Sequence, residues 1–383
     1  MDFGLTETQQ LLKKSAAEFL AAECTPKHVR VMEQDALGYS PELWRKMAQQ
    51  GWMGLALPDR YGGAGLGYLE LALLLEEMGR VLLPGPFFPT AVLAATAIAD
   101  AGSEAQRSRW LPAIAGGTLA ATFAFTEPGG RWEAGGVQMP ATRMGTRFVL
   151  KGAKLFVPDA HAADLLVVAA RTGKPSTTDP GHGISLFLVP RDTPGLTQTP
   201  LRTIGADRVS EVALDGVVVP AEALLGEVDT GWPVAKRVLR CGAAGLCAWM
   251  VGGMQRVLDM TVQYAGQRAQ FGRPIGSLQA IQHRCADMAV DVETSRALAY
   301  QAAWAIGAGE DAATETAMAK AWVAAAYGRV CAAAHQVHGA IGFTKEHDLQ
   351  LYTRRAKAAE PLFGDAASYR ERVAAAIGLR RTI

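Results

Sequence analysis

The hydrophobic rhythm of the chain changes twice. Through about residue 118 apolar positions recur every three or four residues. Leu11, Leu12, Ala16, Phe19 and Leu20 share one face of a first helix, which Thr6-Glu-Thr-Gln is suited to cap. Pro41-Glu-Leu-Trp-Arg-Lys-Met begins another helix with proline in its first turn, and a strongly periodic helix is predicted from Tyr68 through Arg80. Between about residues 119 and 228 alternation takes over. Arg147-Phe-Val-Leu, Asp164-Leu-Leu-Val-Val-Ala, Ile184-Ser-Leu-Phe-Leu-Val-Pro and Glu211-Val-Ala-Leu-Asp-Gly-Val-Val-Val-Pro are short β-type runs broken by Gly, Pro and Asp. The turn-rich stretch from Thr172 to His182 is expected to form a mobile surface loop. After Gly231-Trp-Pro the helical period returns, with Leu278, Ile281, Cys285, Met288 and Val292 on one face and an alanine-rich run from Ala297 to Ala334. The pattern predicts an α+β multidomain protein: a helical domain over 1–118, a β domain over 119–228 and a helical bundle over 229–383.

Composition narrows the function. The 383 residues are 49% hydrophobic and 20% charged, and the formal net charge is +1. Such a chain can bury a large core, and nothing in its overall charge draws it to nucleic acid or to a membrane surface. The five cysteines (Cys24, Cys241, Cys247, Cys285 and Cys331) form no C-x-x-C pair and have no histidine at metal-ligand spacing, so no metal site is expected. Met1-Asp-Phe-Gly-Leu-Thr-Glu has neither a basic start nor an apolar stretch, and no run is long enough to span a bilayer. A cytoplasmic location is the expectation.

Four segments carry candidate chemistry. Ala121-Thr-Phe-Ala-Phe125-Thr126-Glu127-Pro128-Gly129-Gly130 ends an apolar strand in a turn. Gly152-Ala-Lys154-Leu-Phe156-Val157-Pro158-Asp159 is a second strand with an aromatic residue near its end. Arg268-Ala-Gln-Phe271-Gly272-Arg273-Pro274-Ile275-Gly276-Ser-Leu-Gln279 precedes a long helix. Gln336-Val-His-Gly339-Ala340-Ile-Gly342-Phe, followed by Arg354-Arg-Ala-Lys and Pro361-Leu-Phe363-Gly364-Asp365, closes the set.

Together these segments, in this order, resemble the acyl-CoA dehydrogenase family over essentially the full chain. The resemblance implies a middle domain that is small and β-barrel-like, a C-terminal four-helix bundle, bound FAD, and α,β-dehydrogenation of an acyl-CoA thioester. It places the flavin ring beside Phe125, Thr126 and Phe156. It assigns Arg268 to a pyrophosphate, Phe271 to the adenine end and Gln279 to the same dinucleotide, all three reaching the cofactor of a neighbouring subunit. Gln336, Gly339 and Ala340 resemble the family's C-terminal flavin contact, where small residues let backbone amides approach phosphates. An electron-transferring flavoprotein is the oxidant the resemblance implies, and a dimer, tetramer or heteromer the assembly.

The chain departs from the family at its reactive positions. Phe363 stands where the usual glutamate removes the C2 proton, and a phenyl ring accepts no proton. Its backbone amide, a donor to the thioester carbonyl in relatives, is retained. In some relatives the glutamate lies on the helix before the arginine motif, and counting back from Arg268 puts that place near Gly242, in Arg240-Cys241-Gly242-Ala-Ala-Gly, which holds no carboxylate. Pro158 replaces a threonine that bonds the ring nitrogen receiving hydride, and proline offers neither hydroxyl nor N–H. Ala340, Leu351 and Arg355 also differ from the commonest signature. Nearby candidates for a base are Asp365 and Glu360, with a surface role the alternative for each, and Arg240 is a candidate ligand for an anionic acyl tail. Three readings stay open: a dehydrogenase acting as a homomer or as one subunit of a heteromer whose partner supplies the glutamate; a subunit that completes a partner's cofactor site without chemistry of its own; and a different reaction on the same fold.

Overall fold

A computed structural model describes residues 4–176 and 178–379. Residues 1–3, at the start of the stretch Met1–Glu7 read above, one position of the predicted surface loop (177) and the last four residues lie outside the described residues.

Helix α1 (Glu7–Glu23) begins with the predicted cap: the Thr6 side chain accepts from the Gln9 N–H while the Gln9 side chain accepts from the Thr6 N–H. Helices α2 (Pro26–Gln34) and α3 (Pro41–Gln49) are capped by Thr25 and Ser40, each with proline in the first turn. Helix α4 (Tyr68–Arg80) is buried along most of its length. A π-helical segment (Phe88–Ala94) then leads into α5 (Ala95–Ala101), followed by α6 (Glu104–Ala115).

The β domain has two four-stranded sheets. One has the order β1 (Ala121–Ala124), β4 (Leu165–Arg171), β5 (Ile184–Pro190), β8 (Leu224–Leu225); the other runs β2 (Ala141–Met144), β3 (Arg147–Pro158), β7 (Val209–Pro220), β6 (Leu196–Leu201). β1 and β4 pair in parallel, with Ala121 opposite Leu165, and the remaining pairings are antiparallel. Phe148, Leu150, Leu166, Val168, Phe187 and Val217 form a core of their own in this domain. The β3–β7 register slips between Lys154 and Val157, an irregularity that turns the end of β3 toward the site described below.

Three long helices follow: α7 (Trp232–Gln267), α8 (Gln279–Gly307) and α9 (Ala313–His338). The first two are joined through a short hairpin of β9 (Ala269–Gln270) and β10 (Arg273–Pro274). Two shorter helices, α10 (Leu349–Ala359) and α11 (Ala366–Ala376), pack on α9 to complete the bundle. Helix α4 is clamped to α7 backbone to backbone. A Cβ at Gly79 would stand 1.8 Å from the Trp249 carbonyl oxygen, and one at Gly252 would stand 1.7 Å from that of Glu76, so only glycine permits this crossing. One apolar core therefore runs from α1 through to α11. The architecture is the one the sequence predicts, helical, then β, then helical. Among the described residues no helix is long and apolar enough to cross a membrane.

Candidate active site

The loop after α10 carries Phe363 into the protein. Its backbone is left-handed (φ 61°), a conformation unfavourable for a phenylalanine, and it is pinned from both sides. Buried Lys320 donates from Nζ to the Glu360 carbonyl oxygen at 2.7 Å, and the Tyr369 hydroxyl donates to the Phe363 carbonyl oxygen at 3.0 Å. Burial pushes the Lys320 ammonium down to about 8. The Phe363 ring is 5% exposed. It lies against Gly242 on α7, with ring centroids 6.2 Å from Phe88 and 5.1 Å from Trp132. The Phe363 N–H makes no hydrogen bond to any described residue.

Facing this loop is the end of β1. Lys154, 0% exposed, reaches from β3 and donates to the Phe125 carbonyl oxygen at 3.0 Å and to Glu127 Oε1 at 2.7 Å. The Glu127 carboxylate also accepts from the backbone N–H groups of Gln138 and Met139. Burial holds the Lys154 ammonium down at about 8, opposed by the Glu127 charge. This pair fixes the backbone of the Phe125–Thr126–Glu127 turn. Phe156 sits at the irregularity in β3 with φ 53° and remains 46% exposed.

Phe125, Thr126, Phe156, Pro158 and Phe363 line a single cavity with Phe88, Leu93 and Trp249. Its wall also includes Asp159, Asp207, Arg208 and Arg355. Burial and the neighbouring Asp207 push the Asp159 carboxyl up to about 7. The Nε atoms of Arg208 and Arg355 are buried without a partner among the described residues. An apolar chamber with unpartnered donors in its wall suits a flat ring system edged with hydrogen-bond acceptors.

The second set of predicted residues lies elsewhere. Arg268 precedes the β9–β10 hairpin, Phe271 stands at its turn and is 88% exposed, and Gln279 opens α8. Gln336, Gly339 and Ala340, at the end of α9, line a separate cavity with His335, Phe343 and Lys357. The structure joins these two segments: Ala265 and Ile275 cluster with Val337, and the Tyr264 and His338 rings stack at 4.6 Å. Gly339 has φ 65° and open space where a Cβ would stand, so a ligand can approach its backbone closely. None of Arg268, Phe271, Gln279, Gln336, Gly339 or Ala340 lines the cavity of Phe125 and Phe363. Within one protomer the two ends of the expected site stay apart.

Three further candidates lie outside that cavity. Asp365 caps α11, where its carboxylate accepts from the Ser368 N–H at 2.8 Å and is held below its usual range by that bond. Glu360 pairs with Lys357 at 3.2 Å. Neither lines the cavity of Phe363. Arg240 pairs with Asp311 at 2.5 Å and lines an outer cavity with Lys236 and Arg372 rather than the apolar chamber. Trp132 escaped the sequence reading. Its signal was a lone large aromatic among the Gly129-Gly130-Arg131 and Glu133 turn residues, where loop chemistry gives no reason for an indole.

Comparison with known proteins decides the family. Models of the acyl-CoA dehydrogenase N-terminal, middle and C-terminal domains match residues 6–118, 122–217 and 229–378. The chain belongs to the acyl-CoA dehydrogenase family. It is 36% identical over 366 residues to the probable acyl-CoA dehydrogenase YngJ of Bacillus subtilis, covering 94% of this chain and 95% of that protein. It is 31% identical to the Caffeyl-CoA reductase-Etf complex subunit CarC of Acetobacterium woodii, covering 91% of this chain and 92% of CarC. One chain in the crystal structure of the ChsE4-ChsE5 complex from Mycobacterium tuberculosis superposes with a TM-score of 0.90 at 32% identity, covering all of both chains. The family is FAD-dependent. The donors and open backbone of the two loci fit that cofactor, with one exception: Pro158 offers no donor to the ring.

Proposed function

We propose that this chain serves FAD-dependent α,β-dehydrogenation of an acyl-CoA thioester as one subunit of a heteromer in which a second dehydrogenase-like chain supplies the base. One observation carries the reading: the Phe363 ring occupies the space against Gly242, so neither position at which a family member holds its glutamate can present a carboxylate. The ChsE4-ChsE5 complex supports it as a structural relative that is a complex of two differently named chains.

When bound, FAD supplies the hydride acceptor for C3 of the acyl group. In this reading Arg268 pairs with a pyrophosphate, Phe271 packs on the adenine end, and Gln279 and the Gln336–Gly339–Ala340 segment hold the dinucleotide of the second chain. Their exposure on an isolated protomer supports that role, because groups that serve a neighbour's ligand must project from their own surface. Phe125, Thr126 and Phe156 form the ring-binding wall of this chain's own cleft. There the free Phe363 N–H is retained as a carbonyl donor, but neither residue 363 nor residue 242 offers the C2 proton an acceptor.

An electron-transferring flavoprotein is the proposed oxidant, supported by the Etf complex to which the relative CarC belongs. Five unpaired thiols support a cytoplasmic location. The three folding units are proposed to divide near 118/119 and 228/229. Co-expression with a second dehydrogenase-like chain encoded nearby tests the assembly. The expected result is a complex that keeps its yellow flavin through gel filtration, and a homomer that keeps a full complement of flavin and turns over acyl-CoA contradicts it.

A further inference from the structure

The apolar cavity of Phe125 and Phe156 has a neighbour. The outer cavity is lined by Lys236, Arg240, Arg372, Thr316, Trp232 and Tyr369. Lys236, Arg240 and Arg372 place three cations at it, Arg240 already paired with Asp311, beside the Glu133 carboxylate and a largely apolar wall; the buried Thr316 hydroxyl has no partner among the described residues. The two residues common to both linings are Trp132 and Phe363.

An acyl-CoA is a phosphorylated, polar arm joined through a thioester to an apolar chain. To place the phosphates near Lys236 and Arg372 of the outer cavity and the chain in the inner one, the thioester must thread the place where the two meet. Here that place is filled. The Trp132 and Phe363 ring centroids are 5.1 Å apart with the planes tilted 52°. Two rings with a chain between them need about 7 Å, twice an ordinary carbon contact.

The wall is held on every side. Trp132 stacks within 9° of the Phe125 ring plane at 6.3 Å, and the Phe125 carbonyl is held by Lys154. Phe363 is held by Tyr369 through its carbonyl and by the seat that Gly242 leaves for its ring.

We propose that Trp132 and Phe363 form a closed aromatic partition that keeps acyl-CoA out of this chain's own cleft. The inference rests on the reading of the chain as a subunit without the family's base and adds to it: the cleft is barred to the substrate as well as lacking a carboxylate at 363 and 242. It makes Trp132 and Phe363 the residues that decide which chain of the assembly receives the thioester.

Calorimetric titration of the purified full-length chain with octanoyl-CoA tests this, alongside Trp132→Ser and the Trp132→Ser/Phe363→Gly double variant. The left-handed backbone at 363 suits glycine, and Trp132 lies on a loop, partly exposed, so the single variant tests the partition even if the double variant fails to fold. Wild type is expected to bind octanoyl-CoA no tighter than free CoA, and the opened variants at least about tenfold tighter than wild type. Tight binding of octanoyl-CoA by wild type, or a folded Trp132→Ser variant with no gain, overturns the partition. Tight wild-type binding without flavin bleaching leaves the heteromer reading standing, whereas bleaching by the isolated chain overturns that reading.

Discussion

A Cβ added to Gly242 would lie 2.7 Å from Cε1 and 2.8 Å from Cζ of the Phe363 ring. The two positions that hold a base in different members of the family are thus coupled through one volume in this chain. Gly242→Ala is expected to cost about 1–3 kcal/mol through overpacking. Phe363→Ala is expected to cost about 3–5 kcal/mol through the cavity it leaves. Combined, the two should cost less than their sum by about 0.5–3 kcal/mol, because the alanine methyl fills part of the vacated ring site. Urea unfolding of the four proteins measures this coupling, and strict additivity would show that ring and glycine do not share the space.

The Arg268 side chain bonds no described residue, and its backbone bonds to Tyr264 and Ile275 survive replacement by alanine, so Arg268→Ala leaves the fold of the protomer untouched. In a flavin-loaded complex, Arg268→Ala should weaken cofactor retention by about 10- to 100-fold, the worth of a charge-assisted phosphate contact. Flavin absorbance after extensive dialysis reads this directly. An unchanged spectrum removes Arg268 from the cofactor site.

Lys154 and Glu127 are buried together behind the Phe125 turn. Replacing Lys154 by methionine leaves the carboxylate without its counter-charge and should destabilise the chain by about 3–5 kcal/mol. Lys154→Met/Glu127→Gln removes both charges and should recover part of that loss in a thermal melt. No difference between the single and double variants would show that the pair does not hold the turn.

How far the sequence led differs between parts of the molecule. The changes of period located the β runs and long helices, because each element buries one face and so carries its own spacing. Thr6 and Gln9 spelled out a capping box, and a capping box formed. The Phe363 substitution was legible as a missing base, yet its packing was not. Contact between residues 242 and 363 depends on how α7 meets the loop after α10, and no local spacing encodes that. Trp132 lay hidden for the same reason, since a loop residue becomes a wall only when the elements on either side close on it. Asp365 looked like an acid beside the reactive position; the helix start that follows it made it a cap instead.

Burial pushes the thiols of Cys24, Cys241, Cys247 and Cys331 up to about 12 from an ordinary 9.0. A group whose folded pKa is raised contributes stability that is complete below its unfolded value and is lost as pH climbs through the folded one. Lys154 and Lys320, held down near 8, act oppositely between about pH 8 and 10.5, but four thiols outnumber two lysines. The urea midpoint should therefore fall as pH rises from about 9 toward 12. At pH 8 only the half-buried Cys285 should react readily with a thiol reagent in the native chain, against five thiols after unfolding. A flat alkaline profile or rapid reaction of all five would contradict the buried placement.

The decisive measurement is anaerobic flavin bleaching by a panel of acyl-CoAs, recorded for this chain alone and for its complex with a second dehydrogenase-like chain. With no base at 363 or 242, the chain reconstituted with FAD should keep its absorbance band while the complex bleaches. Bleaching by the isolated chain would mean that a proton acceptor acts within its own cleft, and the assignment of the chemistry to a partner would fall.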